Sequence, residues 1–270
     1  MNPAEANPDE VLDAVEPDTT VDLLLGGRIE IEQPRRGWHR AGIDALFLAA
    51  VVPDHASGLV VDLGAGVGTA GMAAAARVPG IDVMLVERDP VALALAEANL
   101  IRPANHAFAR RCQVIAADIA EPMKSREAAG LGREIASHVL MNPPFWAPRT
   151  VRASPREGRA GAHLVEAGGL DEWARAAVSI LEPRGRLTMI FKGDGIAEVL
   201  AALADRIGEI AIFPLFPRSG IAAHRLIVTG VKGSRAAPRI LPGMVLHPVG
   251  SGRYLPDAEA ILRGERGVLA

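Results

Sequence analysis

The chain has 270 residues, 49 % of them hydrophobic, with a mean hydropathy of +0.19 and a formal charge of −3. That composition supports a sizeable buried core and excludes a disordered, purely solvating chain. A single cysteine, Cys112, excludes a disulfide framework and a cysteine-based zinc site, and the longest apolar runs, such as Ala45–Val52, fall far short of the ~20 residues that a membrane span needs.

Residues 1–18 are rich in Asp, Glu, Pro and Asn and read as a disordered acidic leader. They show no basic-then-apolar pattern, so no secretory signal is expected and a cytoplasmic location is. Residues 1–22 hold seven acids and no Lys or Arg; the rest of the chain has 29 basic against 25 acidic residues, a net +4. The overall sign therefore does not exclude an anionic partner such as RNA. Lys124, Lys192 and Lys232 are the only lysines. Arginine suits phosphate recognition, but a GC-rich genome explains the bias more simply.

Residues 19–57 form an N-terminal element ahead of the core, which spans 58–233. Within the core, strands are expected at Leu59–Leu63, Asp82–Glu87, Gln113–Ala117, His138–Met141, Leu187–Phe191, Ile210–Pro214 and Arg225–Val231. Helices are expected at Thr69–Val78, Pro90–Ile101, Leu170–Leu181 and Ile196–Ile207. Alternation of this kind predicts an α/β fold, a mostly parallel seven-stranded sheet with helices on both faces. Only the Pro- and Gly-containing stretch Leu215–His224 separates the last two strands. A parallel crossover needs a dozen or more residues, so these two close the sheet as an antiparallel hairpin. Residues 234–270, with Pro238, Pro242, Pro248 and Pro256, read as a tail that wraps the surface before a short final helix.

The segment Asp62-Leu63-Gly64-Ala65-Gly66-Val67-Gly68-Thr69-Ala70-Gly71 joins the first core strand to its helix. Small residues let a ligand approach the backbone, and the helix start offers free N–H groups. Gly66, Gly68 and Gly71 satisfy the dinucleotide spacing, but Asp62 would repel a pyrophosphate and hold an amino acid's ammonium. The antiparallel ending is also atypical of a dinucleotide fold. Together these favour S-adenosylmethionine over NAD, with a merely tight turn as the plain alternative. Glu87, ending the second strand, can accept both ribose hydroxyls, a role for which Asp89 competes. Asp118 can accept from the adenine amino group or cap a helix. Ala65, Gly68, Arg88 and Ile119 are candidates as neighbours in the same loops.

After the fourth strand comes Asn142-Pro143-Pro144-Phe145-Trp146. Consecutive prolines end the ladder and stiffen the backbone, presenting Asn142 and the Pro143 carbonyl at the carboxyl edge of the sheet, where open α/β folds bind ligands. An amide-like or exocyclic nitrogen is a poor nucleophile because its lone pair is conjugated. Two acceptors can hold both of its N–H groups and aim the lone pair, and Phe145 offers a face for a planar group. Trp146, Arg149, Arg152 and Arg156, with Arg159, are candidates for substrate contact, or belong to a solvated loop. Trp38 packs or flanks the pocket. His163 and His224 show no metal-ligand spacing, and no metal is expected.

The N-P-P-F motif on top of the glycine turn resembles the class I amino-methyltransferases, and most nearly the bacterial group similar to the tRNA (valine) adenine-N6 methyltransferase. The likeness runs from about His39 to Lys232. It includes His39-Arg40-Ala41-Gly42-Ile43-Asp44-Ala45-Leu46, in which the resemblance places Asp44 near the methionine end of the cofactor. It also includes Ser154-Pro155 and Ala162-His163 in a variable substrate loop. The resemblance implies a methyltransferase acting on an exocyclic amine, adenine N6 in tRNA or other RNA before all. Similar motifs occur in protein-glutamine and guanine-N2 methyltransferases, so a protein substrate stays open. From a different class, a non-catalytic module that binds S-adenosylmethionine or another nucleotide is also open.

Overall fold

The computed structural model describes residues 18–35, 42–144, 169–250 and 252–268. Seven strands carry the core: β3 (Gly58–Leu63), β4 (Ile81–Glu87), β5 (Cys112–Ala116), β6 (Ala136–Met141), β7 (Leu181–Lys192), β8 (Ile207–Phe216) and β9 (Arg225–Lys232). They run in the order β8-β9-β7-β6-β3-β4-β5. All pairings are parallel except those of β9, which is antiparallel to both β7 and β8. The expected closing hairpin is therefore present. Two short strands from the region after Lys232, β10 (Arg239–Ile240) and β11 (Met244–Val245), add to the outer edge of β8, so among the described residues the sheet has nine strands rather than seven.

Alternate residues of each strand supply two separate cores, as the period of two requires. One face carries Val60, Val83, Leu85, Leu140, Ile190 and Ile227. It packs on α1 (Ile43–Ala49), α2 (Thr69–Arg77) and α8 (Pro256–Leu262). The other carries Val61, Met84, Val139, Met141, Met189 and Val228, under α6 (Gly169–Ile180) and α7 (Ile196–Leu203). The short helices α4 (His106–Ala109) and α5 (Met123–Ala128) flank β5 in the chain.

Ahead of the sheet, β1 (Thr19–Leu24) and β2 (Ile29–Pro34) form an antiparallel hairpin around Gly26 and Gly27. Ile29 and Ile31 are fully buried in the first core. At roughly 1.5–3 kcal/mol for each such side chain, that burial seats the hairpin firmly on the domain. Its backbone meets α3 (Pro90–Leu100), which follows β4.

Polar groups inside the sheet are paired. His138 of β6 lies 2.8 Å from the Thr188 hydroxyl, which donates to Thr229 at 3.0 Å, which in turn donates to the Leu187 carbonyl. This order of donation makes His138 the donor at Nε2. Burial, and then the charge of Arg186, push its pKa down to about 3, so the ladder across β6, β7 and β9 is neutral at physiological pH.

Candidate cofactor and acceptor site

Register lines up the site along the carboxyl edge of the sheet. Leu63 pairs with Val86 on one side and with Met141 on the other. The next residues, Gly64, Glu87 and Asn142, therefore emerge side by side, and Ala116 opposite Glu87 leads to Asp118. Asn142 is exposed, Pro143 is buried and Pro144 is half-buried.

The turn from β3 to α2 is held by named contacts. Gly64 and Ala65 both donate to the Val86 carbonyl at 2.9 Å, and Gly68 donates to Ala65 at 2.9 Å. Gly64, Gly66 and Gly68 have φ of 73°, 56° and 89°, a region that L side chains rarely adopt. Each glycine answers a different demand. A Cβ on Gly64 would collide with the Trp173 ring of α6, and one on Gly68 would press on Met72 and Leu85. At Gly66 no atom lies within 4 Å of that position, so this part of the turn is open to a ligand.

The acids around the turn organise its backbone. Glu87 accepts from Gly66 N at 2.8 Å with one oxygen, and from Arg88 N and Asp89 N at 2.8 and 2.9 Å with the other. Asp89 accepts from Val91 N and Ala92 N, which makes it the cap of α3. Asp118 accepts from Ala120 N at 2.9 Å and from the Arg88 guanidinium at 3.1 Å. That is a turn ahead of α5 rather than the N-cap of a helix. Ile119 packs with Trp173 against the second core.

Asp62 is buried and accepts from Gly71 N at 2.7 Å. Burial raises its pKa to about 7; the Gly71 N–H opposes the rise and the charge of Glu87 adds to it. Asp44, in the first turn of α1, accepts from Arg225 Nε at 2.7 Å. Leu140, Ile190 and Ile227 share the α1 face of the sheet. By alternation Lys192 and Arg225 lie on that face too, and Arg225 is the one that meets Asp44. Sequence reasoning did not single out Trp173 or Arg225. Neither has a local signal, since Trp173 reads as one more apolar position of an amphipathic helix and Arg225 as an ordinary strand start.

Phe145, Trp146, Arg149, Arg152, Arg156 and Arg159 lie outside the described residues, as do Trp38, His39, Ser154 and His163. A separate concavity of about 480 Å³ sits at the other end of the strands, lined by Arg133, Arg175, Arg206 and Lys232 among others. Those four cations pair with Glu127, Asp171 and Glu134. Among the described residues no helix is long and apolar enough to cross a membrane, and no cluster of three or more His, Cys, Asp or Glu could hold a metal.

A glycine cradle open to backbone approach, bordered by three acids and carried on a sheet with an antiparallel β9, fits an adenosine-bearing amino acid better than a pyrophosphate. The molecule is a Rossmann-like methyltransferase with S-adenosylmethionine as its cofactor. The chain belongs to the methyltransferase small domain family, whose model matches residues 38–211. It is 26 % identical over 229 residues to the tRNA1(Val) (adenine(37)-N6)-methyltransferase of Porphyromonas gingivalis W83, covering 81 % of this chain and 85 % of that one. A crystal structure from Agrobacterium tumefaciens, described as a predicted O-methyltransferase, is 34 % identical with a TM-score of 0.72, over 83 % of this chain and 97 % of that one. The Thermus thermophilus 16S rRNA N2 G1207 methyltransferase, solved with AdoMet and guanosine, shares the fold at 17 % identity and a TM-score of 0.53, over 79 % of this chain and 50 % of that one.

Proposed function

We propose that the chain methylates an exocyclic amino nitrogen, adenine N6 in tRNA or another RNA. The observation that carries this reading is the register that sets Asn142 and Pro143 next to the open glycine turn at one sheet edge. S-adenosylmethionine supplies an electrophilic methyl group on its sulfonium. Backbone groups at Gly64, Ala65, Gly66 and Gly68 would hold it, with Asp62 facing the ammonium, Glu87 the ribose hydroxyls and Asp118 the adenine. Asp44, Arg88 and Ile119 would border it.

Asn142 Oδ1 and the Pro143 carbonyl each accept one N–H of the acceptor amine, and that turns its lone pair towards the methyl carbon. With the methyl group supplied by the sulfonium, positive charge would grow on the acceptor nitrogen, and the Asn142 and Pro143 oxygens would stabilise it. The surplus proton passes to water, so no strong base is required. A hydroxyl acceptor has only one proton to offer such a pair; an amino group has two. Phe145 would offer a ring face to the acceptor, and Trp146, Arg149, Arg152 and Arg156 are the substrate contacts this reading proposes. The name of the Porphyromonas gingivalis relative supports RNA as the substrate class.

The test is incubation with methyl-labelled S-adenosylmethionine and total RNA from a strain lacking the gene, followed by nucleoside mass spectrometry. Label in N6-methyladenosine, lost with Asn142→Ala, is expected. Label confined to protein glutamine or to guanosine would overturn the choice of acceptor.

A further inference from the structure

Asn99 joins two parts of the molecule that are otherwise separate in sequence. It lies in the last turn of α3 with no exposed surface. Its Oδ1 accepts from Glu32 N at 2.7 Å, and its Nδ2 donates to the Glu32 carbonyl at 3.0 Å and to the Val67 carbonyl at 3.1 Å. Glu32 is in β2; Val67 is the residue between Gly66 and Gly68. Turning the amide over would set an oxygen against two carbonyls, so the network fixes its orientation. Asn105 makes the matching contacts at Glu30, accepting from its N–H at 3.0 Å and donating to its carbonyl at 2.7 Å. Its Nδ2 also donates to the Asn99 carbonyl at 2.7 Å. Two buried amide side chains thus stand where a third strand would pair with β2. Only Asn99 also reaches the glycine turn.

The peptide unit between Val67 and Gly68 is therefore held at both ends, its carbonyl by Asn99 and its N–H by the Ala65 carbonyl. Gly66 on the other side is held by Glu87. Glycines at positive φ have much conformational freedom, and a loop that samples many shapes loses affinity when a ligand must select one. The hairpin that anchors Asn99 at Glu32 lies outside the residues matched by the family model.

We infer that Asn99 is a positioning residue for the cofactor turn: anchored on the β1–β2 hairpin, it presets the backbone of Gly66–Gly68 for S-adenosylmethionine. The proposal separates Asn99 from Asn105, which shares its burial and its hold on the hairpin but does not touch the turn. An Asn105 variant keeps the hairpin seated through Ile29 and Ile31.

The experiment is calorimetric titration of the full chain with S-adenosylhomocysteine, comparing Asn99→Asp with Asn105→Asp, each near-isosteric and each stripped of its donors. Both variants lower the Tm. Asn99→Asp is expected to weaken S-adenosylhomocysteine by about tenfold or more, within the usual range of a coupling between sites, and Asn105→Asp by less than about twofold. With an acceptor in hand, KM for S-adenosylmethionine rises in Asn99→Asp while kcat at saturation holds. Equal losses in the two variants, or no loss in Asn99→Asp, would overturn the proposal. Should Asn99→Asp fail to fold, hydrogen exchange on the unaltered chain decides. Saturating S-adenosylhomocysteine should slow the Glu32 amide, bonded to Asn99, more than the Glu30 amide, bonded to Asn105. Equal protection of the two would count against the inference.

Discussion

The two halves of the carboxyl edge are built differently. On the half proposed for the cofactor, Asp62, Glu87, Asp89 and Asp118 all accept from backbone N–H groups, and these contacts fix the glycine turn. On the acceptor half, Asn142 is exposed at the end of β6 on a proline-stiffened edge. The first half preorganises binding of a ligand through its shape. In the function proposed above, the second presents groups whose work begins when a substrate meets them. Loss of a group should therefore appear in binding on one side and in turnover on the other.

The largest expected effect tests that division directly. Asn142→Ala removes one of two acceptors from the amine, and we expect kcat to fall by about 10²–10³, the range found when one preorganised hydrogen-bond partner is removed from an active site. S-adenosylhomocysteine affinity, read by calorimetry, should stay within about twofold. A comparable loss in affinity would show that the two halves are not separable.

Gly64→Ala, on the other half, should be read in stability. It places a Cβ at φ 73° and into the Trp173 ring, so strain and overpacking together should cost about 2–4 kcal/mol in denaturant unfolding. In a Trp173→Ala background the overpacking part should vanish, leaving about 1–2 kcal/mol of backbone strain. If the ring is irrelevant, the two substitutions will simply add.

Much of this was legible in the sequence, but unevenly. The acid-x-G-x-G-x-G turn and the Asn-Pro-Pro edge stand out because their residue types answer local backbone demands. The seven core strands stand out because each is a short apolar run between helical stretches. The β1–β2 hairpin was readable in principle: Val21 and Leu23 alternate, Ile29 and Ile31 alternate, and Gly26-Gly27 lies between them. As sequence alone those residues read as an undivided N-terminal element, because charged partners interrupt both runs. The two-residue strands β10 and β11 are too short to show a period, and only pairing with β8 defines them. Trp173 on Gly64, and Asn99 on Val67, depend on how crossovers return helices to the sheet, which no local spacing encodes. The same holds for Asp62, whose bond to Gly71 appears only once α2 is packed over β3.

That bond leads to an expectation about pH. Burial pushes the Asp62 carboxyl from its ordinary value of 3.8 up to about 7, so the folded state holds the extra proton between these values. Its contribution to stability is present in full below about pH 4 and is lost as the pH rises through about 7, by roughly 4 kcal/mol in all. Asp62→Asn should remove that slope and be the more stable form at pH 8, measured by thermal or denaturant unfolding. In the proposed role an ammonium partner favours the ionised carboxylate, so S-adenosylhomocysteine affinity should rise from about pH 5.5 to about 7.5 in the unaltered chain and lose this rise in the variant. A flat profile in the unaltered chain would remove Asp62 from the cofactor half altogether.

The smallest effect is expected at Arg88, and it sharpens the comparison by what it leaves intact. The guanidinium meets Asp118 at 3.1 Å, but the two side chains are 41 % and 27 % exposed. Water and salt screen such a pair, and its net value is under about 1 kcal/mol. Asp118 also keeps its bond from Ala120 N when the arginine is gone. Arg88→Ala should therefore change unfolding free energy by no more than about 0.5 kcal/mol, and the difference should shrink further at about 1 M salt, where charges a few ångströms apart are largely screened. A loss well above 1 kcal/mol that survives high salt would mean that side-chain ion pairs hold the Asp118 end of this edge, and that backbone N–H groups alone do not explain the order of the half proposed for the cofactor.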